Sequence, residues 1–351
     1  MYWEIKSLYG NYNVSAGVEF SEITNFLSNN KDVILFVDEN VLIHWPILNG
    51  FNPISVPANE ETKTMIGVQP LIDAMIERGA NPKSKIMAIG GGVVQDAVGF
   101  IASIWCRGID YILVPTTLLS QVDSCVGGKT SINHIRKNIL GTFWPPKQIL
   151  ICTDFLKTLS QKDYWSGWGE WIKYNILRDK TSHTIGTLSG GIVGNELNTI
   201  VEGLDYKIGI IQRDEFDKGE RKFLNFGHTF GHALESVSNW EIPHGYAIFI
   251  GSLIALSVSR KYTEKNLDSE LQDLFTFGKD YLQHGGVRQI IKREWFTSEL
   301  IDIAKKSDKK QENNVGIRMV LIGNDGPYLH NVEDNEVLLK SIQRVCDEIC
   351  I

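Results

Sequence analysis

Five cysteines in 351 residues (Cys106, Cys125, Cys152, Cys346 and Cys350) make no Cys-x-x-Cys pair and no metal-binding spacing. Their odd number and scatter argue against a disulfide framework and point to reduced thiols in a cytoplasmic protein. Cys346 and Cys350 stand one helical turn apart and read as buried, idle thiols. Positive charge is not in excess: 35 Lys and Arg stand against 42 Asp and Glu, a formal net charge of -7. A general nucleic-acid partner is therefore not expected, because neutralising a phosphate backbone takes clustered cations. A small anionic substrate in a local cationic pocket remains open. Long apolar runs are missing too. The longest, around Tyr246 to Val258, is interrupted by Gly and Ser and reads as a core helix rather than a membrane span. The opening Met-Tyr-Trp-Glu-Ile-Lys has none of the features of a signal peptide. There is no internal repeat or low-complexity tract. Neither the Gly-x-Gly-x-x-Gly fingerprint nor a P-loop occurs.

What the chain does have divides it in two. Its length exceeds one typical core, so two domains are expected, at 1–160 and 161–351. The first part alternates short apolar runs with helical patterns. Val33–Val37, Lys85–Ile89, Tyr111–Val114 and Ile149–Ile151 have the composition of buried parallel strands. Thr64 to Arg78, ending in Gly79, has helical spacing. This predicts an α/β, Rossmann-like nucleotide-binding domain. From about Asp163 helical patterns dominate, with Ile317–Ile322 as an isolated strand, so the C-terminal domain is predicted to be mainly α-helical.

Four clusters carry chemistry. Gly90-Gly91-Gly92 follows a strand and precedes a helical run, Val93 to Trp105, where backbone N–H groups can approach a pyrophosphate. Asp38 closes the first strand, where a carboxylate can accept from a ribose diol. Glu60 and Lys63, at i and i+3, also read as a solvated pair, and Asp96 is unremarkable by itself. Asp123 to Asn138 sets paired glycines beside Lys129 and then adds Lys137-Asn138, a combination suited to a phosphate monoester. Trp168-Gly-Glu170-Trp-Ile-Lys173 puts opposite charges among tryptophans, where buried charge needs a partner or a metal.

The segment Arg221 to His232, followed by Pro243-His244-Gly245, is the most informative. A helix over Leu224 to Ser236 would align Asn225, His228 and His232 on one face, with Arg221 a turn earlier. Glu170, His228, His232 and His244 supply the carboxylate and imidazoles that a borderline divalent metal takes, with three ligands and an open position expected. Thr229 stands where a His-Glu-x-x-His protease would carry its glutamate, which argues against metalloprotease chemistry.

Together these blocks resemble the sugar phosphate cyclases, and within them the 3-dehydroquinate synthases. The pieces that carry the resemblance are Pro115 to Asp123, Val126 to Thr130 and Leu224 to Glu235. The resemblance implies Glu170, His228 and His244 as ligands of one divalent metal, zinc or cobalt. It implies Asp123, Lys173, Lys207, Arg221, Asn225 and His232 as the catalytic and substrate-contacting set. Lys129, Lys137 and Asn138 would hold the phosphate, with Arg107 supplied across a homodimer. NAD would meet Asp38, Glu60, Lys63, Gly91, Gly92, Asp96, Thr116, Thr117 and Thr158. One of Lys309 and Lys310 would also reach the substrate. Three departures from the family pattern stand out: Gln95 before Asp96, Asn59 before Glu60, and a loop one residue short between Asn133 and Lys137. Asn59 can replace a glycine because Asn tolerates positive φ.

The implied reaction converts 3-deoxy-D-arabino-heptulosonate 7-phosphate to 3-dehydroquinate and phosphate, a step of the shikimate pathway. Rival readings are a sibling cyclase of secondary metabolism, a metal- and NAD-dependent polyol dehydrogenase, and a catalytically inert binding protein. The dehydrogenase would have no use for Lys129, Lys137 and Arg107. The inert protein would not need Glu170, His228 and His244 together.

Overall fold

A computed structural model describes residues 1–179, 181, 186, 195–307 and 316–350. Along the chain come β1 (Tyr2–Ile5), β2 (Tyr12–Ala16), α1 (Phe20–Asn29), β3 (Ile34–Asp38), α2 (Glu39–His44), β4 (Ile54–Val56) and α3 (Met65–Glu77). Next are β5 (Ile86–Gly90), α4 (Gly92–Ile104), β6 (Tyr111–Pro115), β7 (Lys129–His134), β8 (Arg136–Phe143) and β9 (Gln148–Ile151). Helices α5 (Gln161–Leu177), α6 (Glu196–Arg213), α7 (His228–Val237), α8 (His244–Tyr262), α9 (Asp268–His284) and α10 (Ser298–Ser307) follow. The chain closes with β10 (Ile317–Gly323), β11 (Gly326–Val332) and α11 (Asn335–Ile349). Two compact units result: Met1–Leu159 with Glu196–Phe216, and Ser160–Asn195 with Asp217–Ile351.

The first unit is built on a seven-stranded sheet ordered β1-β2-β9-β6-β5-β3-β4. Only the β1–β2 pair is antiparallel; the other pairings are parallel. The expected α/β class is borne out. β3 and β5 are buried along their whole length, as continuous apolar strands covered on both faces should be. The chain leaves β3 to form β4 on one side, then returns to lay β5 on the other. That reversal is a topological switch point, where the ends of parallel strands open a crevice. In register, Val37 faces Ile89 and Gly90 faces Pro115, so Asp38, Gly90 and Pro115 end neighbouring strands on one edge. Helix α6 joins this unit through Trp3 Nε1, which donates to Asp205 Oδ1 at 2.7 Å.

The second unit is helical, as expected, with α8 buried from Gly245 through Ser259. Among the described residues no helix is long and apolar enough to cross a membrane. Helices α5 and α8 touch at glycines. A Cβ on Gly169 would lie 2.0 Å from Gly245 O, and one on Gly245 would lie 1.6 Å from Ser166 O. Ser166 Oγ also accepts from Gly245 N at 3.1 Å, satisfying an orphan donor at the start of α8.

Two expectations need correction. Ile317–Ile322 is not an isolated strand: it belongs to β10, which pairs along its length with β11. The partner was hidden because Gly326-Pro-Tyr-Leu-His-Asn-Val332 is largely half-exposed, without a clean alternation. The Lys129–Phe143 stretch, to which the sequence assigned no strand, forms the hairpin β7–β8, with its turn inside the expected Asn133–Lys137 loop and its second strand mostly exposed. No helix runs from Leu224 to Ser236. A 3₁₀ turn over Glu220–Asn225 ends, Gly227 takes φ 76°, and α7 begins only at His228.

Gly245→Ala is expected to cost about 3 kcal/mol, the upper range for overpacking, because the obstruction is backbone and cannot rotate away. Urea unfolding measures it; an unchanged midpoint would mean that α5 and α8 are not in contact there.

Candidate functional site

In the second unit the site grows out of the α5–α8 contact. Residues 166–177 of α5 are buried throughout, so Glu170 (0% exposed) and Lys173 (2%) carry charge into the interior. They neutralise each other through an ion pair one turn apart, Lys173 Nζ to Glu170 Oε2. Lys173 also donates to Leu224 O at 2.7 Å. Burial opposes the Glu170 charge, but Lys173 and His228 outweigh it and hold the carboxyl well below its usual range.

The other carboxylate oxygen faces two imidazoles. Glu170 Oε1 lies 3.3 Å from His228 Nε2 and 3.2 Å from His244 Nε2. His244 is the first residue of α8 and His228 the first of α7, so each ring is aimed by a helix start. Gly227 allows the approach of α7: its φ is 76°, and a Cβ there would lie 2.3 Å from Ser252 Oγ.

His228 shows that this group fits a cation. Its Nδ1 is 3.1 Å from Phe226 O, an atom that can only accept, so Nδ1 carries the hydrogen. Burial and the Lys173 charge lower its pKa, which keeps the ring neutral. Its Nε2 therefore turns a lone pair toward an ionised carboxylate oxygen. Acceptor faces acceptor, an arrangement that a divalent cation between them would make favourable.

His244 sits between two carboxylates, with Nδ1 3.2 Å from Glu235 Oε1 and Nε2 on Glu170. Burial works against its charge, but hydrogen bonds to Glu170 and Glu235 outweigh that and lift its pKa to about 9. His232, a turn along α7, is half-exposed, with Nε2 4.0 Å from Glu235 Oε2. The structure thus contains two three-donor groups that share His244: Glu170–His228–His244 and His232–Glu235–His244. The first is the better buried and uses His244 Nε2, leaving Nδ1 to Glu235, the usual outer carboxylate of a metal-bound histidine. Sequence reading missed Glu235. Its signal was spacing, because it follows His228 by seven and His232 by three on one face of α7.

Arg221 is buried in the 3₁₀ turn. Asn225 is exposed, and its Nδ2 donates to Lys222 O at 3.1 Å. The break at Gly227 separates both from the α7 face on which they were expected.

In the first unit the strand ends gather a second polar set. Asp38 is buried and caps α2, accepting from Asn40 N at 2.8 Å; burial raises its pKa. Gly91 is the N-cap of α4 and no side-chain cap hydrogen bond closes that helix start. A Cβ on Gly90 would crowd Val94 at 2.6 Å, whereas one on Gly92 would meet only Ser124 Oγ at 3.9 Å. A helix start with backbone donors and free space above it suits a pyrophosphate. Thr116 donates from N to Gly90 O, Thr117 Oγ1 bonds Ser120, and Thr158 Oγ1 donates to Phe155 O.

Glu60 and Lys63 are not the solvated pair that their spacing allowed. Lys63 is buried and donates to Asp96 Oδ2 at 2.6 Å and Asn138 Oδ1 at 2.8 Å. Burial raises the Asp96 pKa, with Lys63 opposing. Glu60 turns instead to Asn133 Nδ2. Asn59 does not use positive φ; its Oδ1 accepts from Thr62 N. Lys207 of α6 donates to both the carboxylate and the carbonyl of Asp123, each at 2.6 Å. Lys129 pairs with Phe143 at the open end of the hairpin, whereas Lys137 adjoins its turn. The hairpin keeps these two apart, by roughly 13 Å at the usual strand rise. Arg107 is exposed with φ 73°. Lys309 and Lys310 lie outside the described residues.

Two family models cover most of the chain: "3-dehydroquinate synthase N-terminal" over residues 53–166 and "3-dehydroquinate synthase C-terminal" over 167–310. A 3-dehydroquinate synthase of Staphylococcus carnosus is 35% identical over 341 residues, 92% of each chain. The chain belongs to the 3-dehydroquinate synthase family. A member from Pyrococcus furiosus is 41% identical over 236 residues, 66% of this chain and 69% of that one. Among solved structures, a 2-deoxy-scyllo-inosose synthase complexed with carbaglucose-6-phosphate, NAD+ and Co2+ aligns over 98% of this chain and 100% of its own. Its TM-score is 0.79 at 22% identity, which speaks for the fold. Membership of the family bears out the resemblance read from Pro115–Asp123, Val126–Thr130 and Leu224–Glu235.

Lys173→Met would leave the buried Glu170 carboxylate without its ammonium, and a loss of roughly 3–5 kcal/mol is expected in metal-free protein. Denaturant titration measures it. A loss below about 1 kcal/mol would show that the imidazoles alone compensate Glu170.

Proposed function

We propose that this chain is an NAD- and metal-dependent 3-dehydroquinate synthase, a lyase that converts 3-deoxy-D-arabino-heptulosonate 7-phosphate to 3-dehydroquinate and phosphate. The convergence of His228 Nε2 and His244 Nε2 on one oxygen of buried Glu170 carries the reading. When bound, NAD supplies a reversible hydride acceptor, and a zinc or cobalt ion at Glu170, His228 and His244 supplies Lewis acidity.

The remaining residues bind, orient and move protons. Asp38, Glu60, Lys63, Gly91, Gly92, Asp96, Thr116, Thr117 and Thr158 form the dinucleotide site around the β3–β5 switch point. Arg221 and Lys173 bind the carboxylate and hydroxyls of the substrate, with Asp123, Lys207 and Asn225 completing its contacts. The substrate is a carbinol beside a C–H bond that becomes acidic once the carbinol is a ketone. Loss of that proton expels the neighbouring phosphate, and His232, half-exposed at its turn of α7, relays the proton. Lys129, Lys137 and Asn138 hold the phosphate, and Arg107 reaches it from the second copy of a homodimer. The carbinol is then restored, the ring opens, and an intramolecular aldol closes the carbocycle. Oxidation and reduction cancel, so no reduced cofactor accumulates. Positioning and charge complementarity are the protein's main contributions.

Pure protein given the heptulosonate phosphate, NAD+ and a divalent metal is expected to release phosphate with no net rise in nicotinamide absorbance. Absence of phosphate release would overturn the proposal. Phosphate release with a carbocycle other than dehydroquinate would assign a sibling cyclase. Lys129→Ala is expected to raise KM roughly 10- to 100-fold, the cost of a lost charge-assisted contact, with a smaller change in kcat.

A further inference from the structure

The end of α8 farthest from His244 borders a cavity of about 390 Å³, walled by the α8 C-terminus, the start of α9 and α11. Its charge is lopsided. Arg260 Nη2 and Arg344 Nη2 both reach a single carboxylate oxygen, Asp268 Oδ1, at 2.6 and 3.4 Å. Lys261 also lines the cavity and has no ion-pair partner among the described residues. Against Asp268, these three cations leave two positive charges in excess. Lys265 and Lys340 border the same space but are drawn off to Asp179 (3.0 Å) and Glu336 (2.5 Å).

Two serines in the cavity wall give a second, independent sign. Ser257 (6% exposed) and Ser341 (5%) line the cavity, and among the described residues neither hydroxyl has a hydrogen-bond partner. Their neighbours behave differently. On the same helix, Ser252 Oγ donates to Ile248 O at 2.8 Å and Ser259 Oγ to Ala255 O at 2.7 Å, the back-bond that a helical serine ordinarily makes. Neither hydroxyl is spent on a back-bond, so both are free to donate to an acceptor that enters the basic cavity.

We propose that this cavity is an anion site of its own, for a phosphate dianion carried as inorganic phosphate or as a phosphate monoester. Ser257 and Ser341 donate to its oxygens, Arg260 and Arg344 offer guanidinium forks, and the excess of two charges matches a dianion. Ser257 is thirteen residues beyond His244, roughly 20 Å along the helix, so the site is distinct from the metal-type cluster. The inference does not depend on the proposed reaction.

Isothermal titration of the full chain tests it, with Lys129→Ala as background so that phosphate held by the first unit is set aside. Inorganic phosphate and glucose 6-phosphate are titrated separately. Saturable binding is expected at millimolar ligand or below, and whichever probe binds more tightly names the source. Ser257→Ala with Ser341→Ala should weaken it about tenfold while leaving the melting temperature in phosphate-free buffer unchanged. Arg260→Gln should weaken it at least as much. Affinity that does not move with the serine pair would reduce the cavity to a diffuse basic surface and overturn the proposal, as would the absence of binding.

Discussion

One oxygen of one buried carboxylate organises the second unit. Glu170 is held ionised at zero exposure by Lys173 on its own helix, and its other oxygen is left to two imidazoles on two other helices. Much of the surrounding sequence serves that convergence. Gly169 and Gly245 remove the side chains that would keep α5 and α8 apart, and Ser166 caps the start of α8 so that His244 can occupy its first position. Gly227 breaks the chain ahead of α7 and puts His228 at a helix start as well. Without a cation, His228 sets a lone pair against a carboxylate, so the cluster is arranged for something that is not protein.

The first unit solves a different problem with backbone. Its strand order places Asp38, Gly90 and Pro115 at one edge, where helix α4 begins without a side-chain cap. Lys63 ties that edge to the hairpin by binding Asp96 and Asn138 together. Residues that the resemblance divides between cofactor and phosphate are therefore one hydrogen-bonded group. A change at Lys63 would be felt by both.

The parts of the fold most legible in the sequence were those set by continuous burial. β3, β5, β6 and β9 announce themselves as apolar runs, and α3 by its spacing and its Thr64 cap. The hairpins β7–β8 and β10–β11 were not legible as pairs, because exposed or half-exposed strands carry little alternation. The helix expected over Leu224–Ser236 failed at a single residue. Side-chain periodicity runs on through Gly227, but its left-handed backbone does not. Of the site, the residue types marked Glu170, His228, His232 and His244 as candidate ligands, and the choice of Glu170, His228 and His244 among them came from the resemblance. The role of Glu235 was not legible, since a carboxylate that acts through other side chains leaves no mark beyond spacing. Lys63 misled for a similar reason: its partners, Asp96 and Asn138, are 33 and 75 residues away.

X-ray absorption at the metal edge of cobalt- or zinc-loaded protein reaches the centre of this account. Two imidazole nitrogens and a carboxylate oxygen at roughly 2.0–2.2 Å, with no sulfur, are expected. That signature should be lost in Glu170→Ala and kept in His232→Ala. The reverse pattern, with the ion indifferent to Glu170 and displaced by loss of His232, would contradict the central claim.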